Sequence, residues 1–408
     1  MTAITIHPDP ETSARRSDMN LGLPELFAEI AQGAAERDRE RILPFDVIAK
    51  LRDARFGAYR LPREAGGAGA THKELYAQVM ALGSADSNVA HILRNHFVFV
   101  ERFALHPDRP QGFFWQQKIA EGKIFGLANA ELAKARSGGV SVTRLKPDGD
   151  SYRLNGVKFY STGSLYADFV IVRARDLEDH PLTVVIPTDR EGITLVDDWD
   201  SSGQRLTGTG TSVFENVLVE ADEVVWDEAG KGYGRAYKST LPQIFLTAVN
   251  AGILRAILRD ARSLLHQRVK KAFSFAAAEV PAEDPLLLKI VGELSSQVSA
   301  AETLVSAGAE AQDRVCEAEA RGDDIISLAH DASIMAAKAK VIVDDFVLKA
   351  GNQIFDLGGA SSLLRSVNLD RHWRNARTIA SHNPALFKAL ALGRHEIHGT
   401  PLPDADFF

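Results

Sequence analysis

The sequence predicts a multi-domain α+β protein in which a helical region, a β region and a second helical region follow one another. Two observations indicate this order. Apolar residues recur at three- and four-residue steps before about residue 122 and after about residue 236, as in amphipathic helices. Between these stretches stand short runs of β-branched residues separated by turn residues. We therefore predict a loose arm at 1–20, a helical domain at 21–122, a β-barrel domain at 123–235 and a helical bundle with a C-terminal tail at 236–408.

The composition is that of an ordinary soluble protein of two or three domains. The chain has 408 residues, of which 45% are hydrophobic and 25% are charged. Its net charge of −7 gives no general attraction to nucleic acid, and no apolar run reaches the roughly 20 residues that span a membrane. The first residues lack the basic start and apolar core of a secretory signal. We therefore expect a cytoplasmic protein with neither a membrane nor a nucleic-acid partner.

Disulfide, metal and nucleotide-loop chemistry find no support in the sequence. Cys316 is the single cysteine, which excludes an internal disulfide framework. The 12 histidines show no metal-binding spacing, so we predict no metal site. The chain also lacks a Walker loop and a Gly-x-Gly-x-x-Gly turn between strand and helix, which argues against both common nucleotide-binding folds.

Helix signals divide the first region. Leu61–Ala70 is a glycine-rich break, and Thr71 is the predicted N-cap of the helix that follows. A further helix carries His91, Asn95 and His96. His91 and Asn95 are four residues apart and share a face, whereas His96 is turned away from His91. Either histidine is a candidate to line a pocket, and the alternative is a structural histidine.

Two segments of the β region are candidate ligand-binding elements. Lys158–Ser164 follows the turn Asn155-Gly156 and sets aromatic residues beside hydroxyl residues and a glycine, a platform suited to a flat ring. The alternative is an ordinary hairpin. Asn129–Gly139 combines amide, acidic and basic side chains in a loop that leaves a strand, where ligands are commonly bound. The alternative there is a solvated loop.

The C-terminal region contains three long predicted helices, at about 244–269, 285–318 and 327–355. Each has apolar residues largely on one face, which indicates the core of a bundle. In the third helix the predicted core stripe consists of Met335, Ala339, Ile342 and Phe346.

A polar helix near the C-terminus ends in a histidine. Asp370–Arg377 holds three arginines together with Trp373. Pro384 disfavours helix at Asn383, which leaves His382 at the helix end. With a reference pKa of roughly 6.5, His382 is a candidate acid/base group delivered by an anion-binding, subunit-contacting helix. The alternative is a surface helix followed by a loop.

Together these residues resemble the acyl-CoA dehydrogenase superfamily over about residues 25–400. Leu61–Gly69 is similar to its N-terminal signature, Asp150–Gly163 to its flavin-proximal strands and Ser212–Val219 to the end of its β domain. The resemblance implies an N-terminal helical domain, a middle β-barrel and a C-terminal four-helix bundle. It also implies a homo-oligomer, usually a tetramer, with flavin bound between the domains and across a subunit boundary.

The dehydrogenases of this superfamily need a glutamate base, and both positions that the resemblance assigns to it lack a carboxylate. These positions are Ser381–Pro384 and Leu241–Gln243. The chain resembles more closely the flavin-dependent monooxygenase branch, that of dibenzothiophene monooxygenases and sulfur-acquisition oxidoreductases. Arg371–Arg377 followed by His382–Pro384 is similar to the C-terminal signature of that branch, and Phe159–Gly163 and Gly203–Arg205 support the likeness.

This branch resemblance implies a two-component enzyme. A partner flavin reductase would supply reduced flavin, FMN or alternatively FAD, and O2 would form a C4a-(hydro)peroxyflavin that oxygenates a small organosulfur substrate. The resemblance assigns catalysis to His382, Ser161 and Asn129, with His91 or His96 lining the pocket. It assigns flavin binding to four sets of residues: Asn129, Ala130, Glu131 and Lys134; Phe159, Tyr160, Ser161, Thr162 and Gly163; Ala360, Ser361 and Ser362 of a neighbouring subunit; and Lys271 and His382.

The sequence departs from the branch pattern at two places. Lys270–Phe273 stands where an Ala-Arg-Pro-Trp-like run is usual, and Asn383 replaces a frequent aspartate. Lysine meets a phosphate as a point charge, without the fork of arginine. Two alternatives stay open: an acyl-CoA dehydrogenase with an unrecognised base, and a non-catalytic flavin- or ligand-binding protein of the same fold.

Overall fold

The computed structural model describes residues 22–106, 111–132, 143–268, 270–271, 274–404 and 408. The structural statements that follow concern these residues. The predicted arm at 1–20 and the predicted flavin contact Lys134 lie outside them.

The first helical region contains α1 (Leu23–Glu40), α2 (Phe45–Asp53), α3 (His72–Ala85), α4 (Ser87–Ile92), α5 (Arg94–Phe99) and α6 (Gly112–Ala120). A π-helical turn at Val100–Ala104 continues α5. Thr71 begins α3 as predicted, because its Oγ1 accepts the Glu74 N–H at 3.1 Å and its own N–H donates to the Glu74 carboxylate at 2.7 Å. Asp86 begins α4 by accepting the Asn88 N–H at 3.0 Å.

The middle region is one eight-stranded sheet. Its strands are β1 (Phe125–Ala128), β2 (Arg144–Asp148), β3 (Ser151–Lys158), β4 (Phe169–Arg175), β5 (Pro181–Pro187), β6 (Ile193–Leu195), β7 (Ser212–Val219) and β8 (Val224–Trp226). The order is β6-β7-β3-β2-β4-β5-β8, with β1 parallel to β4. Since β6 and β8 form no ladder with each other in the described chain, the strands of the predicted barrel follow an open path.

The sheet joins the first helical region through aromatic packing. Phe99, at the end of α5, stacks on Phe125 of β1 with ring centroids 4.3 Å apart. Phe125 in turn stacks on Phe169 at 4.9 Å, and Trp115 of α6 meets Phe99 edge-on. Aromatic pairs of this kind stabilise a contact beyond the area that they bury. They hold α5 firmly against the β region.

The second helical region contains α7 (Thr240–Gln267), α8 (Pro285–Ala320), α9 (Ile326–Gly358), α10 (Arg371–His382) and α11 (Ala385–His398). Leu246, Val249, Ile253 and Ile257 of α7 are buried, as the sequence predicts. Within the described residues, α7 is the one helix whose length and hydropathy would suit a membrane span, but 78% of that apolar window is buried inside the fold. It is therefore the core helix of the bundle. The predicted order of helical, β and helical regions is confirmed.

The predicted core stripe of α9 is partly wrong. Ile342 is exposed, whereas Lys340 and Asp344 are buried with their charged groups 2.7 Å apart. Asn250 of α7 donates to Asp344 at 2.8 Å. The buried face of α9 therefore includes a paired lysine and aspartate, although a hydropathy pattern predicts both residues to be exposed.

Helix α10 fastens the two helical regions together. Arg374 lies 2.7 Å from the fully buried Asp38 of α1, and Arg371 lies 2.6 Å from Asp260 of α7. Both arginines are therefore neutralised by carboxylates of their own chain, so the predicted anion-binding role of this helix is not supported for them. Truncating one partner of a buried pair is costly because it leaves a buried charge unpaired.

Helix α10 also packs closely against the β region at Gly203. A Cβ placed on Gly203 would lie 2.1 Å from the Arg374 carbonyl oxygen, which leaves no room for a side chain. This approach lets the Gln204 N–H donate to Asn375 Oδ1 at 2.5 Å. Gln204 has a positive φ of 52°, an uncommon backbone state for a residue other than glycine.

We expect Gly203→Ala to destabilise the protein by about 1–3 kcal/mol, because the added methyl group must displace α10. Gly292→Ala is the matched control. Gly292 lies within α8 with open space around its Cβ position, and alanine there should be neutral or stabilise by about 0.5–1 kcal/mol. Urea denaturation followed by circular dichroism compares the two. Equal midpoints would contradict the close approach.

Candidate active site

His91 is held by a polar contact between the first helical region and the β region. Its Nδ1–H donates to Gln204 Oε1 at 3.0 Å, and Gln204 Nε2 donates to Ser87 Oγ at 3.1 Å. His91 Nε2 is buried and has no hydrogen-bond partner among the described residues. Burial, followed by the charge of Arg94, lowers the pKa of His91 to about 3. His91 is therefore neutral and presents the lone pair of Nε2.

His382 meets Arg94 directly. An Arg94 Nη1–H donates to His382 Nε2 at 3.0 Å. Because a guanidinium has only donors, Nε2 must be the unprotonated nitrogen, and the imidazole proton resides on Nδ1. Enclosure of the ring, followed by the charge of Arg94, holds the pKa of His382 well below its usual range. The residue as a whole is nevertheless exposed to solvent.

Hydrogen bonds connect this histidine to the predicted flavin strand. Arg94 Nε–H donates to Asn95 Oδ1 at 3.2 Å, and Asn95 Nδ2 donates to the Thr162 carbonyl at 2.8 Å. A Cβ on Gly163 would lie 2.6 Å from the Ile92 carbonyl, so α4 packs closely on this segment. His382, Arg94 and the 159–163 segment thus form one continuous site.

The 159–163 segment has the features of a binding platform. Ser161 Oγ is buried and has no hydrogen-bond partner in the described chain. Thr162 Oγ1 accepts from Thr209 Oγ1 at 2.9 Å, which fixes its rotamer. Tyr160 has a positive φ of 56° and is 54% exposed, while Phe159 is half-buried. A buried hydroxyl without a partner indicates an absent ligand or water, and the residues present fit a flavin ring.

The loop before the platform is tied to it by a buried ion pair. The Phe159 N–H donates to the Ala130 carbonyl at 2.9 Å. Lys158 Nζ lies 2.5 Å from Glu131 Oε1 and 3.2 Å from the Asn129 carbonyl. The carboxylate of Glu131 is thus neutralised by Lys158, so its predicted contact with a cofactor would have to come from the backbone. The structure brings residues 129–131 next to the 159–163 segment.

Of the two candidate pocket histidines, His96 is the one whose ring nitrogens are both bonded to backbone groups. The residue is fully buried. Its Nε2–H donates to the Gly57 carbonyl at 2.9 Å, and its Nδ1 accepts the Phe125 N–H at 3.3 Å. Burial lowers its pKa to about 4. Both ring nitrogens are consumed by backbone groups, so His96 is a structural link between the first helical region and β1.

The remaining predicted flavin contacts are Lys271 and the turn that contains Ala360, Ser361 and Ser362. The Lys271 ammonium forms an ion pair with Glu279. Ala360 and Ser361 are exposed in a 3-10 turn at Gly359–Leu363, and Ser362 Oγ donates to the Gly359 carbonyl at 2.6 Å. An exposed turn of this kind is available to a neighbouring subunit, which is where the predicted role requires it.

Arg94 is the site residue that the sequence analysis missed. In the sequence Arg94 lies between His91 and His96, a pattern typical of a polar helix face. The available signal was its apolar setting, since Ile92 and Leu93 precede it and Phe97–Phe99 follow it closely. An arginine that is isolated in an apolar helix is either paired in the interior or directed at a ligand.

A second polar cluster lies beside a cavity of about 380 Å³ between the first helical region and the bundle. His72 Nδ1 lies 3.0 Å from Asp313, and Arg60 Nε donates to Glu101 at 2.5 Å. Burial raises the pKa of Glu101 on its own, but His72 and then Arg60 outweigh burial and hold that pKa well below its usual range. Glu101 is therefore a firmly ionised structural carboxylate.

Three domain models match the chain in order along its length. They are those of the acyl-CoA dehydrogenase N-terminal domain at residues 26–122, middle domain at 133–217 and C-terminal domain at 244–385. The chain belongs to the acyl-CoA dehydrogenase superfamily.

Several similar proteins are flavin-dependent monooxygenases. A probable FMNH2-dependent monooxygenase of Pseudomonas putida is 28% identical over 90% of this chain and 92% of its own length. The methanesulfinate monooxygenase structure from Pseudomonas fluorescens has a TM-score of 0.86 and 27% identity, covering 96% of this chain and all of its own. FMN-bound TdsC of Paenibacillus sp. A11-2 has a TM-score of 0.84 and 26% identity, covering 95% and 99% of the two chains. The predicted branch of the superfamily is confirmed.

We expect His382 to titrate well below the roughly 6.5 of a free histidine, because burial and the charge of Arg94 depress its folded-state pKa. Arg94→Met removes a cation next to the ring and should move the titration of His382 upward. Two-dimensional NMR of protein labelled with 13C-histidine, with His382→Gln for assignment, follows the ring signal.

The control is Arg255→Met, because Arg255 pairs with Glu302 on the bundle surface and should leave the His382 titration unchanged. A His382 signal that already titrates near pH 6.5 in the unaltered protein would contradict the Arg94 contact.

Proposed function

We propose that this protein is the oxygenase component of a two-component FMN-dependent monooxygenase that acts on a small organosulfur compound. The observation that carries the proposal is the contact of Arg94 with neutral His382 beside the 159–163 platform. A proton-abstracting dehydrogenase needs a carboxylate base, and a neutral imidazole held next to a guanidinium is a poor substitute for one. An N–H donor of this kind is suited to hold an oxygen atom.

The residues of the platform fit the flavin that this function requires. Ser161 Oγ offers an unused hydrogen bond, and residues 129–131 border the same strand. We assign the ring to Phe159–Gly163 and Asn129, and further contacts to Lys271 and, from a neighbouring subunit, Ala360–Ser362. When bound in its reduced form, FMN would supply two electrons to O2. His382 Nδ1–H and Ser161 would then hold the reacting oxygen.

The overall reaction balances with a reductase as the second component. One oxygen atom of O2 is added to the sulfur substrate, the other leaves as water, and reduced FMN becomes oxidised FMN. The chain shows no NAD(P)H-binding fingerprint, so reduced FMN must come from a separate flavin reductase. We infer a transient transfer between the two proteins, acting together in the cytoplasm.

Glu101 does not rescue the dehydrogenase alternative. Glu101 lines the same cavity as Thr240 and Leu241. Leu241 belongs to Leu241–Gln243, one of the two positions where a dehydrogenase base is expected. The ion pairs of Glu101 with Arg60 and His72 stabilise the ionised carboxylate, which makes it a weak acceptor of a proton.

We propose a homo-oligomer, with a tetramer as the expected size. Helix α11 packs on α9 with one side and exposes large apolar residues on the other: Leu386 at 76%, Phe387 at 59%, Leu390 at 50% and Ile397 at 77% exposure. Contiguous exposed apolar surface of this kind marks interaction sites. The exposed turn at Ala360 and Ser361 gives a reason for the assembly, since a neighbouring copy would bring it to the flavin.

The reaction is tested with the purified protein, a generic flavin reductase, NADH, FMN and 18O2. We expect one 18O atom in the product from an organosulfur substrate. His382→Ala should keep FMN binding within about threefold but lower product per NADH by about 10²-fold, with hydrogen peroxide released instead. His398→Ala, at the exposed end of α11, is the control. Unchanged coupling in His382→Ala would exclude this role for His382.

Leu386→Asp combined with Ile397→Asp is expected to dissociate the oligomer, because both charges fall on the exposed apolar side of α11. Light scattering coupled to size-exclusion chromatography measures the mass, with Glu396→Gln as a control on the same helix. An unchanged mass in the double variant would show that this side of α11 is not the interface.

A further inference from the structure

Arg94 is a buried cation without a buried counter-ion. It is 7% exposed, and the described residues place no carboxylate within ion-pair distance of its guanidinium. Four other arginines of low exposure are each neutralised: Arg37 by Asp86, Arg60 by Glu101, Arg371 by Asp260 and Arg374 by Asp38. Arg102 also has no carboxylate within ion-pair distance among the described residues, but its guanidinium lies over the Tyr233 ring and donates to the Lys238 carbonyl at 2.7 Å. Arg94 has no such aromatic partner in the described chain, and burying an unpaired charge is expensive.

The donors of Arg94 are only partly used. A guanidinium has five N–H groups. One reaches Asn95 Oδ1 and one reaches His382 Nε2, both of which are neutral acceptors. The other three N–H groups have no acceptor in the described part of the chain. Arg94 therefore offers a cation with open hydrogen-bond donors to whatever occupies the site.

The groups around Arg94 favour the binding of an anion. Burial, followed by the nearby charge of Arg102, lowers the pKa of Arg94 to about 10, which leaves it charged at neutral pH. His91 and His382 are neutral and contribute no negative charge. An oxyanion bound here would remove the repulsion and replace the lost hydration of the guanidinium with charge-assisted hydrogen bonds.

The contacts of Arg94 indicate where an anion bound by it would lie relative to the flavin platform. Asn95 joins Arg94 Nε to the backbone of Thr162, and Arg94 Nη1 contacts His382. A group held by Arg94 would therefore lie between the flavin platform and the histidine that we assign to the oxygen.

We propose that Arg94 binds the anionic oxygen group of the substrate, and that the substrate class is accordingly a small organosulfur oxyanion such as an alkanesulfinate. This proposal rests on the proposed monooxygenase function. It separates the protein from oxygenases of neutral aromatic sulfur heterocycles, which have no group for a buried guanidinium to hold.

Equilibrium binding to the FMN-loaded protein tests the proposal without turnover. Methanesulfonate and dimethyl sulfone are the probes, because they have nearly the same shape and differ in charge. We expect methanesulfonate to bind at least tenfold more tightly by calorimetry. Arg94→Met should abolish that preference, and Arg94→Lys should retain part of it because it keeps the charge. Arg255→Met is the control, and thermal unfolding with FMN retention checks that each variant is folded.

Each result decides for or against the proposal. Equal or tighter binding of dimethyl sulfone, or an unchanged preference in Arg94→Met, overturns it. A weaker affinity of Arg94→Met for FMN but not for riboflavin, with the preference unchanged, assigns Arg94 to the flavin phosphate and also overturns it. Absence of oxygenated product with every substrate would instead contradict the proposed function, and the binding preference would still be measured.

Discussion

Gln204 is the residue on which the geometry of the site depends. It is fully buried in a left-handed backbone conformation, and its polar groups reach Ser87 and His91 of α4 and Asn375 of α10. The first helical region, the sheet and the C-terminal helices are thereby joined at one amide side chain. A buried polar network of this kind favours one arrangement of its members, and His91 Nε2 is left without a partner among the described residues. The same contact that assembles the three regions also sets the orientation and tautomer of His91.

Arg94 gives the site its electrostatic character. Its guanidinium can only donate, so it makes His382 a neutral donor at Nδ1 and keeps the acid/base chemistry of a dehydrogenase out of reach. The platform at 159–163 supplies the complementary part, an unused buried hydroxyl at Ser161 beside a half-buried aromatic ring. Superfamily members share a scaffold, and function on a shared scaffold is decided by such local groups. Here the site contains the cation of Arg94 and the neutral imidazole of His382, whereas the dehydrogenase reaction requires a carboxylate base.

The sequence predicted the fold more completely than the site. Alternation of helical and strand periods predicts the three regions. Four of the five aliphatic residues of the predicted α7 stripe are buried, and the fifth, Leu264, is partly buried against the same core. The stripe of α9 was misread because Lys340 and Asp344 satisfy each other in the interior, a pairing that no linear pattern reveals. The choice between His91 and His96 stays open in the sequence, because periodicity does not distinguish a ring that bonds the backbone of Gly57 and Phe125 from one that faces a ligand. Arg94 was missed for a related reason: its lack of a carboxylate partner is a property of three-dimensional neighbours alone.

In the proposed complex Arg94 holds an oxyanion of the substrate against the flavin platform, next to His382. A crystal structure of the protein with FMN and methanesulfonate tests it most directly. The account predicts a sulfonate oxygen about 3 Å from the Arg94 guanidinium, the flavin ring on Phe159–Gly163, and His382 Nε2 still accepting from Arg94. A sulfonate bound elsewhere, with Arg94 neutralised by a carboxylate of a neighbouring copy, would contradict it.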